Sequence, residues 1–135
     1  MSAAPKFHVA ADLLGQWRDS LHGPPPTLWP VGTDALATVE TGPGRIVLVG
    51  GAPGSGKTAL VMQFVIDALR LTPDLRAVVA NVEMSPSVLL DRQLARLSGV
   101  PLDVIAKRRL GPEHEARIER GIATLDACFV LGPES

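Results

Sequence analysis

A chain of 135 residues with 46% hydrophobic content is long enough to bury one core and too apolar to stay disordered by default. Its net charge of −1 leaves no electrostatic footprint for nucleic acid or an anionic membrane, so any such partner must be argued from local features. The lone Cys128 excludes an intramolecular disulfide, and no apolar run reaches the length of a membrane span; with Lys6, His8 and Asp12 interrupting the N-terminal stretch, a soluble cytoplasmic protein is expected.

Val9, Leu13, Trp17 and Leu21 recur at intervals of four, the spacing of an amphipathic helix. His22-Gly23 and Pro24-Pro25-Pro26 end it and form a stiff extended spacer. Such a helix packs either on a partner or back on its own domain, and Trp17 is expected to fill a core position. A boundary is therefore set between residues 1–26, helix and proline-rich linker, and residues 27–135, the main domain. From Leu28 to Val39 the backbone is irregular around Trp29-Pro30 and Gly32, with Thr33 capping a short helix over Asp34 to Val39. Thr41 to Gly44 is a turn. The continuous β-branched run Ile46 to Val49 then has the character of a strand buried on both faces of a parallel sheet.

The chemistry is concentrated directly after that run. Gly51, Ala52, Pro53, Gly54, Ser55, Gly56, Lys57 and Thr58 match the phosphate-loop pattern G-x-x-x-x-G-K-[ST]. Glycines allow successive backbone N–H groups to converge on phosphate oxygens, and the following helix adds its free N–H groups and positive dipole end. Lys57 is a compact cation able to reach the β- and γ-phosphates, and the Thr58 hydroxyl is the expected protein ligand of Mg²⁺. A nucleoside triphosphate, ATP or GTP, together with Mg²⁺ is thus the expected cofactor.

Leu60, Phe64, Ala68 and Leu71 carry a helix as far as Thr72-Pro73, and Ala77 to Val82 is expected as a second buried strand. Strand, loop, helix and strand in this order predict a right-handed βαβ unit and an α/β fold. Glu83 would then stand on the rim that carries the phosphate loop, where open α/β sheets place ligands. Ser85 as N-cap and Pro86 open a further helix to Ser98-Gly99, with Leu89, Leu90, Leu94 and Leu97 on its apolar side. Short helices over Leu102 to Arg109 and beyond Pro112 lead to Cys128 to Leu131, expected as a third strand with Cys128 a buried structural thiol. No apolar strand ending in an aspartate for the Mg²⁺ shell follows the loop, so the chain is expected to hold the first half of its domain. Lys107-Arg108-Arg109 are expected as a solvated face, and His8, His22 and His114 as surface residues without metal-ligand spacing.

With the phosphate loop and Asn81-Val82-Glu83-Met84-Ser85 in view, the chain from about Leu28 to Leu131 resembles the RecA-like P-loop ATPase domain of DnaB-type replicative helicases. Gly32-Thr33-Asp34-Ala35-Leu36 is similar to that family's lead-in to its first core strand. The resemblance implies a RecA-like P-loop NTPase core with a partial parallel sheet and flanking helices. It also implies that Glu83 polarises the attacking water, that Glu83 and Lys57 are the catalytic residues, and that the assembled helicase couples ATP hydrolysis to DNA unwinding. Single-stranded DNA and further copies of the chain in a ring would be its partners, and the N-terminal helix would pack on a neighbouring protomer. The loop pattern also occurs in other P-loop ATPases, which leaves a recombinase, a KaiC-like regulator, a plasmid or phage accessory protein, or a non-catalytic nucleotide-binding module as alternatives.

Overall fold

The computed structural model describes residues 7–81 and 83–129. Five α-helices follow in chain order: α1 Ala10–Ser20, α2 Lys57–Leu71, α3 Pro86–Ser98, α4 Leu102–Ala106 and α5 Glu115–Cys128, with a 3₁₀ turn Asp34–Thr38 after the first.

Local chemistry explains where these helices begin and end. Gly56, at φ +95°, turns the chain into α2, and Thr72, held extended before Pro73, ends it. At α3 the Ser85 hydroxyl accepts from the Val88 N–H at 3.4 Å with Pro86 in the first turn, and Gly99 closes the helix at φ +72°.

The core lies where α3, α4 and α5 meet. Val100, Ile105 and Ile118 are buried there, with Leu94, Ala95 and Val104 packed against them. Burial of each large aliphatic side chain contributes about 1.5–3 kcal/mol. α2 lies against α3 and α5 and buries Met62, Ile66 and Ala68. Gly121 lets α5 come close to α3: a Cβ there would lie 2.8 Å from Leu94 Cδ1 and 3.4 Å from Ser98 Cβ. Across the α2–α3 seam, Arg96 donates to Asp67 at 3.1 Å, and its Nε donates to the buried Gln93 carboxamide, also at 3.1 Å.

The parallel sheet expected from the sequence is not formed among the described residues, and with it go the βαβ unit and the α/β fold class. Neither Ile46 to Val49 nor Ala77 to Asn81 takes up regular secondary structure, and the ladder contact present is an isolated antiparallel bridge between Trp29 and Thr41. The reason lies in what strand composition measures. Apolar β-branched residues suit a pleated, covered surface, but a strand also needs a neighbour to receive its backbone hydrogen bonds. Here Ile46 is 95%, Leu48 92% and Val78 97% exposed, whereas Val47, Val49 and Ala77 border an apolar cavity of about 260 Å³ against Val61, Phe64 and Val65 of α2. Among the described residues the core is therefore built by packed helices and by Val31 and Val100 of the segments beside them. Val82 of the expected second strand, and Val130 and Leu131 of the third, lie outside the described residues; Cys128, the third strand's expected first residue, is the last residue of α5.

Smaller expectations also change. All of α1 is exposed, so Trp17 fills no core position, while Trp29 is half-buried at the edge of the apolar cavity. Lys107, Arg108 and Arg109 are exposed as expected, and Arg108 in addition pairs with Asp91 at 2.8 Å and donates to Ser87 Oγ at 3.3 Å, tying the end of α4 to α3. His114 is half-buried, its Nδ1 accepting from the Gly111 N–H at 3.1 Å, whereas His8 and His22 are exposed as expected. Cys128 is half-buried with its Sγ 3.9 Å from the Ile66 carbonyl oxygen, and burial pushes its thiol pKa up.

Candidate functional site

The loop Gly51–Gly56 is shaped by its own short-range constraints. Gly54 and Gly56 both take left-handed φ, +78° and +95°, which a side chain would strain. The Ser55 N–H donates to the Ala52 carbonyl at 3.1 Å, so the chain folds back within four residues. Gly51 is needed for space: a Cβ there would lie 2.6 Å from the Ser55 hydroxyl and 3.5 Å from Lys57 Cγ.

Lys57, the first residue of α2, reaches back over the loop and donates from Nζ to the Gly51 carbonyl at 2.7 Å. The first intrahelical bond runs from the Leu60 N–H to the Gly56 carbonyl at 3.0 Å, and no side chain caps the helix at Gly56. The N–H groups of the first turn are thus open to an incoming acceptor, beside a positive side chain and the positive end of the helix dipole.

A cavity of about 380 Å³ adjoins this helix end, bordered by Lys57, Thr58, Met62, Asn81, Glu83 and Leu89 among others. Three residues singled out from the sequence, Lys57, Thr58 and Glu83, therefore meet around one space although the sheet expected to bring them together is not formed among the described residues. Two positions supply the arrangement. α2 carries the lysine and threonine, and the turn before α3 carries the glutamate, so the packing of α2 on α3 brings the two sides together. A cation, a hydroxyl and a carboxylate around a helix N-terminus can hold an anion and orient a water molecule beside it.

Asn81 was not marked as functional by motif reading. It borders the same cavity, and its carboxamide bonds to the backbone of Glu83 and Met84. The signal was an asparagine two residues before an acidic residue, the pattern of a side-chain-closed turn. Among the described residues no cluster of three or more His, Cys, Asp or Glu side chains is gathered to hold a metal ion, and no helix is long and apolar enough to cross a membrane.

No curated protein and no solved structure matches the chain. The family model for the DnaB-like helicase C-terminal domain matches residues 32–131, a span that contains the loop, α2, the Glu83 turn and most of the helical core. Taken with the site geometry on either side of that cavity, this match means that the chain belongs to the DnaB-like helicase C-terminal domain family.

Proposed function

We propose that the chain is the ATP-binding module of a DnaB-like helicase, holding the triphosphate in the loop Gly51, Ala52, Pro53, Gly54, Ser55, Gly56, Lys57 and Thr58. The observation that carries this reading is the single cavity shared by Lys57, Thr58 and Glu83. On binding, the Lys57 ammonium exchanges the Gly51 carbonyl for oxygens of the β- and γ-phosphates, a stronger charge-assisted contact. First-turn N–H groups of α2 meet the remaining phosphate oxygens.

The residues present suit Mg²⁺ as well as the phosphates. Thr58, half-buried on the cavity side of α2, offers one hydroxyl, as expected for a hard cation that keeps several waters and phosphate oxygens as its other ligands. When bound, Mg²⁺ supplies charge neutralisation on the phosphates. Glu83, on the border of the same cavity, would accept a hydrogen bond from water and orient it for attack on the γ-phosphate. In the assembled helicase, hydrolysis at this site would drive movement along single-stranded DNA within a ring of copies.

Equilibrium binding of a fluorescent ATP analogue to the wild type and to Lys57→Ala tests the first step. Loss of the cation should weaken binding by about tenfold or more, and equal affinity would overturn the assignment. For the second step, Glu83→Gln should bind the analogue as the wild type does and hydrolyse ATP more slowly in a single turnover. Unchanged hydrolysis would remove Glu83 from the mechanism.

A further inference from the structure

Glu83 is exposed, and among the described residues its carboxylate has no hydrogen-bond partner, so the placement of its backbone sets where the carboxylate can reach. That backbone is held from both sides. Before it, the half-buried Asn81 accepts at Oδ1 from the Glu83 N–H at 3.3 Å and from the Met84 N–H at 3.5 Å, while its Nδ2 donates to the Met84 carbonyl. After it, Ser85 caps α3. A side-chain amide bonding two and three residues ahead replaces the backbone bonds that would otherwise define the turn. Both ends of the Asn81 carboxamide are thus committed to the turn that presents Glu83, although the residue borders the same cavity as Lys57 and Thr58.

We propose that Asn81 is a positioning residue for the reaction: it closes the turn that aims Glu83 at the water beside the γ-phosphate. The proposal rests on the reading of Glu83 given above and adds a residue that the phosphate-loop pattern does not contain. It makes a specific demand. Asn81 should matter for the geometry reached during phosphoryl transfer and not for holding the nucleotide, which is the task of Gly51–Thr58 on the other side of the cavity.

Binding of Mg·ADP, measured with and without fluoroaluminate, separates these effects and needs no turnover, because fluoroaluminate mimics the transferring phosphoryl group. In the wild type the analogue should tighten Mg·ADP binding by ~100-fold. Asn81→Ala should keep its Mg·ADP affinity within about twofold and lose ~10-fold of that gain, as should Glu83→Gln. The double variant should be no worse than Glu83→Gln alone, since Asn81 acts through Glu83. Asn81→Ser should recover most of the gain, because a hydroxyl can close a similar turn.

If Asn81→Ala keeps the gain while Glu83→Gln loses it, the role of Asn81 is overturned and that of Glu83 stands. Should Glu83→Gln keep the gain, or the wild type show none, the reading of Glu83 fails and takes Asn81 with it. Additive losses in the double variant, or a matching loss of Mg·ADP affinity in both Asn81 variants, would make Asn81 a general support of the fold and end the proposal.

Discussion

Lys57 Nζ lies 2.7 Å from the carbonyl oxygen of Gly51, six residues earlier in the chain, so the ammonium closes the loop from which it projects. The contact also packs the lysine stem near Gly51, where a Cβ would meet Ser55 Oγ at 2.6 Å. Gly51→Ala should therefore push the Ser55 hydroxyl aside and disturb the closure without touching the helical core. Nucleotide affinity should fall by about tenfold, because a loop displaced by the added Cβ loses about one backbone N–H contact to a charged phosphate oxygen. Thermal unfolding should move little, and titration with a fluorescent ATP analogue beside a melting curve checks both.

At the α3–α5 seam, Gly121 faces Leu94 Cδ1 and Ser98. Gly121→Ala gains helix propensity of up to about 1 kcal/mol and spends it against that contact, so its sign is a balance. Gly121→Val has no such offset. It should destabilise the protein by about 1–3 kcal/mol through overpacking, read as a lower urea midpoint at unchanged slope.

Arg96 and Asp67 join α3 to α2 at 3.1 Å, with side chains only 28% and 14% exposed. Asp67 also receives Arg70 at 3.4 Å, so its removal leaves two guanidinium groups without this acceptor. A double-mutant cycle over Arg96→Met and Asp67→Asn should give a coupling of about 0.5–1 kcal/mol, at the upper end for a partly exposed pair. Raising the salt concentration should shrink it only in part, since shielded pairs are screened less than open ones.

Cys128 sits beside the Ile66 carbonyl, and burial, the largest influence, raises its thiol pKa above the ordinary value while Arg70 and Arg96 partly oppose the shift. A raised pKa leaves less thiolate at any given pH. Alkylation by iodoacetamide at pH 8 should thus be slower in the folded protein than after urea denaturation, by mass spectrometry of the modified chain. The sign for stability follows the same way. Between the unfolded and the folded pKa the native state binds more protons, so this contribution is complete below the unfolded value and is lost as pH rises through the folded one.

What the sequence made legible is what the chain decides locally. Ser85, Pro86 and Gly99 mark the ends of α3 because a cap, a fixed φ and a left-handed turn act within a few residues. The glycine-rich loop is legible for the same reason, through Gly54 and Gly56. Strand pairing is not local. Ile46 to Val49 and Ala77 to Asn81 have the composition of covered strands, yet composition supplies neither a partner edge nor a cover, and both runs stay unpaired. The site was legible in its residues and not in its scaffold: Lys57, Thr58 and Glu83 share a cavity by helix packing instead of by a common sheet rim. His114 was misjudged because its partner, the Gly111 N–H, becomes visible only once the turn is in place.

α2 gives the molecule a mechanical property. Its 15 residues make a rod of about 22 Å, with the phosphate loop at one end and, toward the other, Asp67 clamped by Arg96 and the Ile66 carbonyl against Cys128. A stiff rod cannot be gripped at one end without narrowing the excursions of the other. If the loop holds nucleotide as proposed, amide exchange in α3 and α5 should slow on adding it, a change that hydrogen-exchange mass spectrometry would read.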